Sequence, residues 1–259
     1  MIYENVTLGC DPELFLMDET GKFISAVGFI EGTKEKPSPI DTLGNAIQLD
    51  NVSVEFNIQP AATKAAFVGS INKVLDHLEE KIKGKNLLLS YVPAAEFGWD
   101  QLQTEQAQTF GCEPDFSAWT GEKNPAPHCK NLQLRSCGGH IHVGYDKPNY
   151  TNKMNLIRAM DVFLGVPSSK IDTDKLRRQL YGKPGAFRPK EYGAEYRTLS
   201  NFWILSTELQ EWAYDQTMKA ISFLNAGGHI PFSDQLFINQ AIMDDHAASY
   251  IYLQEKYHF

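Results

Sequence analysis

Gly138-Gly139-His140-Ile141-His142-Val143-Gly144 is the stretch from which the fold is read. Two histidines alternate with two aliphatic residues, and a period of two is that of a β-strand. His140 and His142 then leave the same face, about 6.6 Å apart along the strand, while Ile141 and Val143 enter a core. One solvent-facing histidine is commonplace; a pair becomes informative when other strands bring acidic groups to the same face. The search for such strands organises the rest of the chain.

Val52-Ser-Val-Glu-Phe-Asn-Ile-Gln59 alternates strictly, placing Val52, Val54, Phe56 and Ile58 on a core and Ser53, Glu55, Asn57 and Gln59 on the opposite face. Residues 6 to 16 read as another strand, with Asp11 and Glu13 sharing a face and Pro12 suited to an edge or a bulge. Phe23 to Ile30 is expected to pair with it across a turn at Gly21. Leu87 to Val92 gives a further short strand, and Ala194 to Ser200 one more, on which Glu195 and Arg197 point the same way. Four strands thus present polar groups: Asp11 with Glu13, Glu55 with Asn57, His140 with His142, and Glu195 with Arg197.

Helices fill the intervals. Thr63 caps a helix whose stripe runs Phe67, Ile71, Val74, Leu75, Leu78 and Ile82 before Gly84 ends it. Asn152 to Leu164 is helical in pattern, with Gly165 expected to stop it, and Leu205 to Leu224 and Ser233 to Tyr252 read as apolar helices. His229, His246 and His258, in or beside these, read as structural or surface residues. Glu31 to Pro37 is a polar turn. Arg177 to Lys190 carries five cationic side chains among glycines, a combination that lets backbone approach an anion while charge neutralises it, although the spacing of a Walker loop is absent.

The chain has 259 residues, 42% of them hydrophobic, and a net charge of −8. That length supports one domain over 1–259 with a helical region at 205–259. The acidic balance, with no long basic run, argues against a broad nucleic-acid surface. No signal peptide or long apolar span is evident, and Cys10, Cys112, Cys129 and Cys137 form no CxxC pair, so reduced thiols in a cytoplasm are expected. Cys112, His128, Cys129 and Cys137 match no familiar zinc spacing, and ordinary thiols are the favoured reading. The segment from about 100 to 131 loses all periodicity, and its Gly111-Cys-Glu-Pro-Asp115 echoes Gly9-Cys-Asp-Pro-Glu13.

If the four polar strands share a sheet, four carboxylates meet in one concavity, which repulsion and desolvation forbid without cations. Oxygen-rich ligands with imidazole favour Mg²⁺ or Mn²⁺ over zinc, and a basic glycine-bearing loop beside such ions suits a nucleotide triphosphate.

Here the residues carry a resemblance. Gly9 to Glu13, Gly32-Thr-Lys-Glu-Lys-Pro37, Asp50 to Asn57, Gly138 to Gly144, and Tyr181-Gly-Lys-Pro-Gly-Ala-Phe-Arg188 through Glu195-Tyr-Arg-Thr-Leu-Ser-Asn-Phe-Trp203 resemble, in order, the motifs of the phage amidoligase family. That family is grouped with the carboxylate-amine ligases of the glutamine synthetase and glutamate-cysteine ligase superfamily. The resemblance implies an α+β fold like the glutamine synthetase catalytic domain, a curved antiparallel sheet with helices on the convex face and ATP with Mg²⁺ on the concave one. It implies metal ligation by Asp11, Glu13, Glu55, His140 and Glu195, Asp11 being shorter than the glutamate usual there. It implies catalytic roles for Glu55, Arg188, Glu195 and Arg197, and ATP contacts from Lys34, His142, Lys183 and Arg188.

The implied reaction passes the γ-phosphoryl of ATP to a carboxylate, and an amine then displaces phosphate from the acyl phosphate. Glu113 or Asp115 would bind or deprotonate that amine. The partners are a small-molecule or peptide carboxylate and an amine; related synthetases often assemble as homo-oligomers, and a phage-encoded protein would work in the host cytoplasm. The rival classes are a two-metal phosphohydrolase and a nonenzymatic cation- or nucleotide-binding protein. ATP dependence with a second substrate separates them.

Overall fold

The protein is described by a computed structural model covering residues 1–108, 115–125, 129–172 and 174–259. Its strands are β1 (Thr7–Cys10), β2 (Glu13–Asp18), β3 (Phe23–Ile24), β4 (Ser38–Pro39), β5 (Ala46–Asp50), β6 (Ser53–Asn57), β7 (Leu87–Ser90), β8 (Ala94–Glu96), β9 (Phe116–Ser117), β10 (Leu134–Ser136), β11 (Ile141–Gly144), β12 (Ala186–Lys190) and β13 (Gly193–Tyr196). The α-helices are α1 (Lys64–Ile82), α2 (Glu105–Gln108), α3 (Tyr150–Met160), α4 (Val166–Ser168), α5 (Leu176–Leu180), α6 (Thr207–Asn225), α7 (Gln235–Met243) and α8 (Ala247–Tyr257).

Every ladder is antiparallel. One sheet runs β1-β11-β13-β12-β9, a second β3-β2-β6-β5-β4 with β7 also on β2, and β10 with β8 forms a third of two strands. The two larger sheets are one curled surface, because β1 and β2 are halves of a single bent segment. Across the bend, Asp11 and Glu13 donate to the carbonyls of His140 and Gly138, and Phe56 and Ile58 donate to those of Pro12 and Cys10. Pro12 lacks the amide hydrogen that a continuous ladder would require, so the ladder breaks there and the chain turns. The expected unbroken strand over residues 6 to 16 is therefore two strands, and that break curls the sheet around the polar face.

The apolar sides of these strands build the main core. Leu8, Leu14, Leu16, Val54, Phe56, Ile141, Val143 and Tyr196 join the α1 stripe of Phe67, Ile71, Val74 and Leu78 in one buried cluster. Each such side chain contributes roughly 1.5–3 kcal/mol by leaving water. Thr63 caps α1 by accepting from the Ala66 amide, as its sequence position predicts. Helix α3 packs on β12 and β13, and α6 on α1 and α3. Phe15 alternates to the other face, where with Val52, Phe97 and Leu102 it forms a smaller apolar cluster closing one end of the concavity. Among the described residues no helix is long and apolar enough to cross a membrane.

Several local expectations change. The strand expected over Phe23 to Ile30 is limited to Phe23–Ile24, because the Ala26 carbonyl accepts from Phe29 and Ile30 and turns the chain. Gly165 does not stop α3: the helix widens into a π-helical turn over Asp161–Gly165 and continues through α4. The helix expected over Ser233 to Tyr252 is α7 and α8, divided where His246 caps α8 by accepting from Ser249. His258 closes α8 in a left-handed conformation, and neither histidine joins a ligand cluster. The echo at 111–114, with Cys112 and Glu113, and His128 lie outside the described residues.

Candidate functional site

Strand register aligns the polar residues. Glu13 stands directly opposite Glu55, which stands opposite Gln48 on its other side. Across the bend Gly9 faces His142, His142 faces Glu195, and Glu195 faces Arg188. Asp11, on the bend itself, reaches both histidines: its Oδ1 lies 3.1 Å from His140 Nδ1 and 3.1 Å from His142 Nε2. His140 Nδ1 is 3.7 Å from Glu195 Oε1, and one donor atom each from Asp11, His140 and Glu195 fall within 4.8 Å of one another.

The backbone under His140 is held by close approach. A Cβ on Gly138 would lie 2.4 Å from His140 Nε2, and one on Gly139 would lie 2.2 Å from the Ser200 carbonyl oxygen. Trp203 donates its indole N–H to the Gly139 carbonyl. Only glycines fit, and the histidine strand owes its place at the centre of the concavity to them. The regular ladder starts at Ile141, one residue after His140.

Glu195 is fully buried and takes cations from three sides: Arg197 Nη1 at hydrogen-bond contact, Lys190 Nζ at 2.9 Å and Arg188 Nη1 at 3.5 Å. Burial and Asp11 push its carboxyl up, but Arg197 and the two histidines prevail and hold it at about 2. Asp11 likewise stays well below the usual carboxylate range, because His142 and His140 outweigh burial. Glu13 and Glu55 go the other way. Burial, then the charge of Asp50, pushes Glu13 up to about 7 against the Gly138 N–H that its Oε2 accepts. Burial, then Asp11, Glu13 and Asp50, drives Glu55 well above the usual range, and its Oε2 has no hydrogen-bond partner. His140 falls to about 4 through burial and the nearby Arg197 guanidinium, whereas His142 is raised by Asp11 in spite of burial.

Two cavities meet this cluster. An inner one of about 330 Å³ is lined by Glu13, His140, Arg177, Arg197, Asp50 and Asp115, with apolar wall from Phe15, Leu134 and Leu180. An outer one of about 480 Å³ is lined by Asp11, Glu55, His142, Lys34, Arg188 and Lys190. Lys34 Nζ lies 3.8 Å from Asp50, between the two. Asp115 pairs with Arg197 Nε at 3.4 Å and accepts from Asn124.

Of the site residues expected from sequence, Asp11, Glu13, Glu55, His140, His142, Arg188 and Arg197 thus line these cavities as partly or fully buried groups, with Glu195 just beneath them, while Lys34 reaches the outer cavity from an exposed position. Lys183 sits exposed at the inner rim. The basic segment 177–190 is divided. Arg178 is buried against Asp172 and the Asp172 carbonyl, a structural role, and Arg177 donates to the Thr198 and Arg197 carbonyls beside the inner cavity. Of the two, Arg178 is thus part of the frame, while Arg177 ties main-chain carbonyls together at the edge of the inner cavity. Cys10 and Cys137 are buried, Cys129 faces the inner cavity, and none joins a three-ligand group among the described residues.

Asp50 and Tyr192 were not anticipated. Asp50 ends β5 in a hairpin with β6 turned by Asn51 at positive φ; the alternation Ile47, Leu49 followed by Asp-Asn was its sequence signal. Tyr192, between β12 and β13, stacks on His142 at 6.1 Å and its hydroxyl lies 2.5 Å from His142 Nδ1. Nothing in a lone exposed tyrosine announces that contact.

Residues 129–217 match the family described as Phage phiEco32-like COOH.NH2 ligase-type 2, which bears out the phage amidoligase resemblance over that segment. The segment carries His140, His142, Lys183, Arg188, Glu195 and Arg197; Asp11, Glu13, Lys34 and Glu55 lie outside it. No curated protein matches the chain.

Proposed function

We propose that the protein is an ATP-dependent carboxylate-amine ligase with a glutamine synthetase-like site, working through an acyl phosphate. The observation that carries this reading is the meeting of Asp11, His140 and Glu195 beside the opposed Glu13 and Glu55 on one concave face. The match of residues 129–217 to a COOH.NH2 ligase family supports it.

The donor set fits divalent cations. Glu55 Oε2 is buried with no hydrogen-bond partner, and carboxylates with one imidazole suit Mg²⁺ or Mn²⁺. In this reading Asp11, His140 and Glu195 hold one ion and Glu13 with Glu55 a second; bound there, the ions neutralise charge on a transferring phosphoryl group.

The chain's own groups complete the chemistry. Lys34, Arg188 and Lys190 around the outer cavity offset phosphate charge, and His142, its two ring nitrogens held by Asp11 and the Tyr192 hydroxyl, forms the imidazole wall that the phosphate meets there. Arg197, oriented by Glu195 and Asp115, faces the inner cavity, where it meets charge that grows on the group being transferred. One such pre-oriented donor is worth about 10²–10³ in rate. The apolar wall of the inner cavity keeps water from an activated carboxylate, and Asp50 or Asp115 accepts the proton that the amine must lose.

A hydroxylamine trap tests the reading: Mg-ATP, hydroxylamine and pools of carboxylates, with ADP and hydroxamate followed together. Hydroxamate formed in step with ADP is expected, and lost in Glu55→Gln. Phosphate released in the absence of any carboxylate would replace the ligase by a phosphohydrolase.

A further inference from the structure

Behind the sheet, on the side away from both cavities, Asp161 is completely buried in the π-helical turn that follows α3. Its carboxylate takes hydrogen bonds from three separate segments. Trp119 donates its indole N–H to Oδ2 at 2.8 Å, Tyr196 its hydroxyl to Oδ1 at 3.0 Å, and Gly185 its backbone N–H. The Thr198 hydroxyl lies 3.3 Å from Oδ1 and 3.1 Å from the Lys183 carbonyl, so one proton is shared between two acceptors. Gly165 leaves the room this requires: a Cβ there would lie 2.7 Å from the Tyr196 hydroxyl. A π turn costs helical hydrogen bonding and persists where the offset side chain is used.

The donors are placed with respect to the site. Tyr196 and Thr198 flank Arg197 in sequence, and period-two alternation sends them to the back of the strand while Glu195 and Arg197 go to the front. Gly185 ends the turn whose Tyr181, Gly182 and Lys183 line the inner cavity, and Trp119 anchors the segment that carries Asp115 and Asn124 on its opposite wall. We propose that Asp161 is a positioning residue, which from behind the sheet holds Arg197, the 181–185 loop and the Asp115 wall in mutual register. It touches no substrate; it sets where three site-bearing segments stand.

The test is Asp161→Asn, which keeps the shape but replaces one acceptor oxygen by an NH₂ donor: set toward Trp119 it strands the indole N–H, and set toward Tyr196 and Thr198 it forces both hydroxyls to reverse their bonds. Amide exchange is measured on the metal-free protein. Protection at Gly185 and Arg197 is expected to fall about tenfold or more while that of α1 is unchanged, because the lesion is local. Equal loss in α1 and the loop, or no loss at Gly185, would overturn the proposal. A kinetic arm rests on the ligase reading: kcat for hydroxamate falls about 10- to 100-fold with the KM for Mg-ATP nearly unchanged, since a small misplacement costs that much. An unimpaired kcat in the variant also overturns it. A wild type silent in the trap defeats the ligase reading, and exchange then decides the proposal alone. Should Asp161→Asn fail to fold, Thr198→Val removes only the shared hydroxyl and is held to the same exchange criterion.

Discussion

Glu13→Gln is expected to make the metal-free protein more stable at neutral pH, by an amount the site's electrostatics set. Glu13 is raised from 4.5 to about 7 in the folded chain, chiefly by burial and by Asp50. At 1.36 kcal/mol per pKa unit the ionised form costs about 3 kcal/mol, and a modest discount for its partial exposure leaves about 2–3 kcal/mol. The sign is that of a raised carboxylate. Below pH 4.5 the group is protonated folded and unfolded alike, and the substitution gains nothing. Between pH 4.5 and 7 the unfolded chain ionises first, so wild-type stability falls and the advantage of glutamine grows, becoming constant above 7. Glutamine keeps an oxygen for the Gly138 N–H that Glu13 accepts at 2.9 Å, so no hydrogen bond need be lost. For a chain of this size the gain corresponds to a rise in Tm of roughly 5–10 °C. Thermal melts in chelator from pH 4 to 8 measure it. A destabilised variant, or a difference that is flat across that range, would refute the argument that Glu13 is an uncompensated charge awaiting a cation.

Glu55 and Glu195 are both acidic residues of the same cluster, yet their removal is expected to act in opposite directions. Glu55→Gln relieves repulsion and leaves stability equal or higher, whereas Glu195→Gln strands Arg197, Arg188 and Lys190 and costs about 3–5 kcal/mol, read by denaturant unfolding. Mn²⁺ affinity, followed by calorimetry or relaxation, is expected to rise with pH through about 7, with protons released on binding, because Glu13, and Glu55, which is raised as well, must ionise to ligate. Gly139→Ala drives a methyl to within 2.2 Å of the Ser200 oxygen and is expected to lower stability by about 1–3 kcal/mol, displacing His140 and weakening Mn²⁺ binding with it. Phe67→Ala empties a fully buried position under α1 and is expected to cost about 3–5 kcal/mol without altering the pH profile of ion binding.

Much of this was present in the one-dimensional pattern. The alternation of 52–59 and of 138–144 is a local property, since each strand's polar side is fixed by period two wherever the strand lies, and the α1 stripe with its Thr63 cap is equally local. Order of motifs then sufficed to propose which polar sides share a face. Interruptions were harder to read: Pro12 was visible as a difficulty for a strand, but whether it would end the ladder or bulge it depends on what pairs with either side. Gly165 carried the ordinary signal of a helix end, yet in the fold it is a contact point for Tyr196, a reason that exists only once β13 lies against α3.

Tertiary structure decided the electrical identity of each group. Asp11, Glu13, Glu55 and Glu195 look interchangeable as letters, but Coulomb interactions and desolvation depend on distances across strands that are remote in the chain. Those distances put two carboxylates among cations and imidazoles, where they stay charged, and two against one another in a poorly solvated wall, where they resist charging. The arginines were sorted in the same way. Arg178 belongs to the frame, Arg177 binds main-chain carbonyls at the edge of the inner cavity, and Arg188 and Arg197 stand beside Glu195 in the site, because what a guanidinium can reach is fixed by its tertiary neighbours, which no sequence spacing encodes.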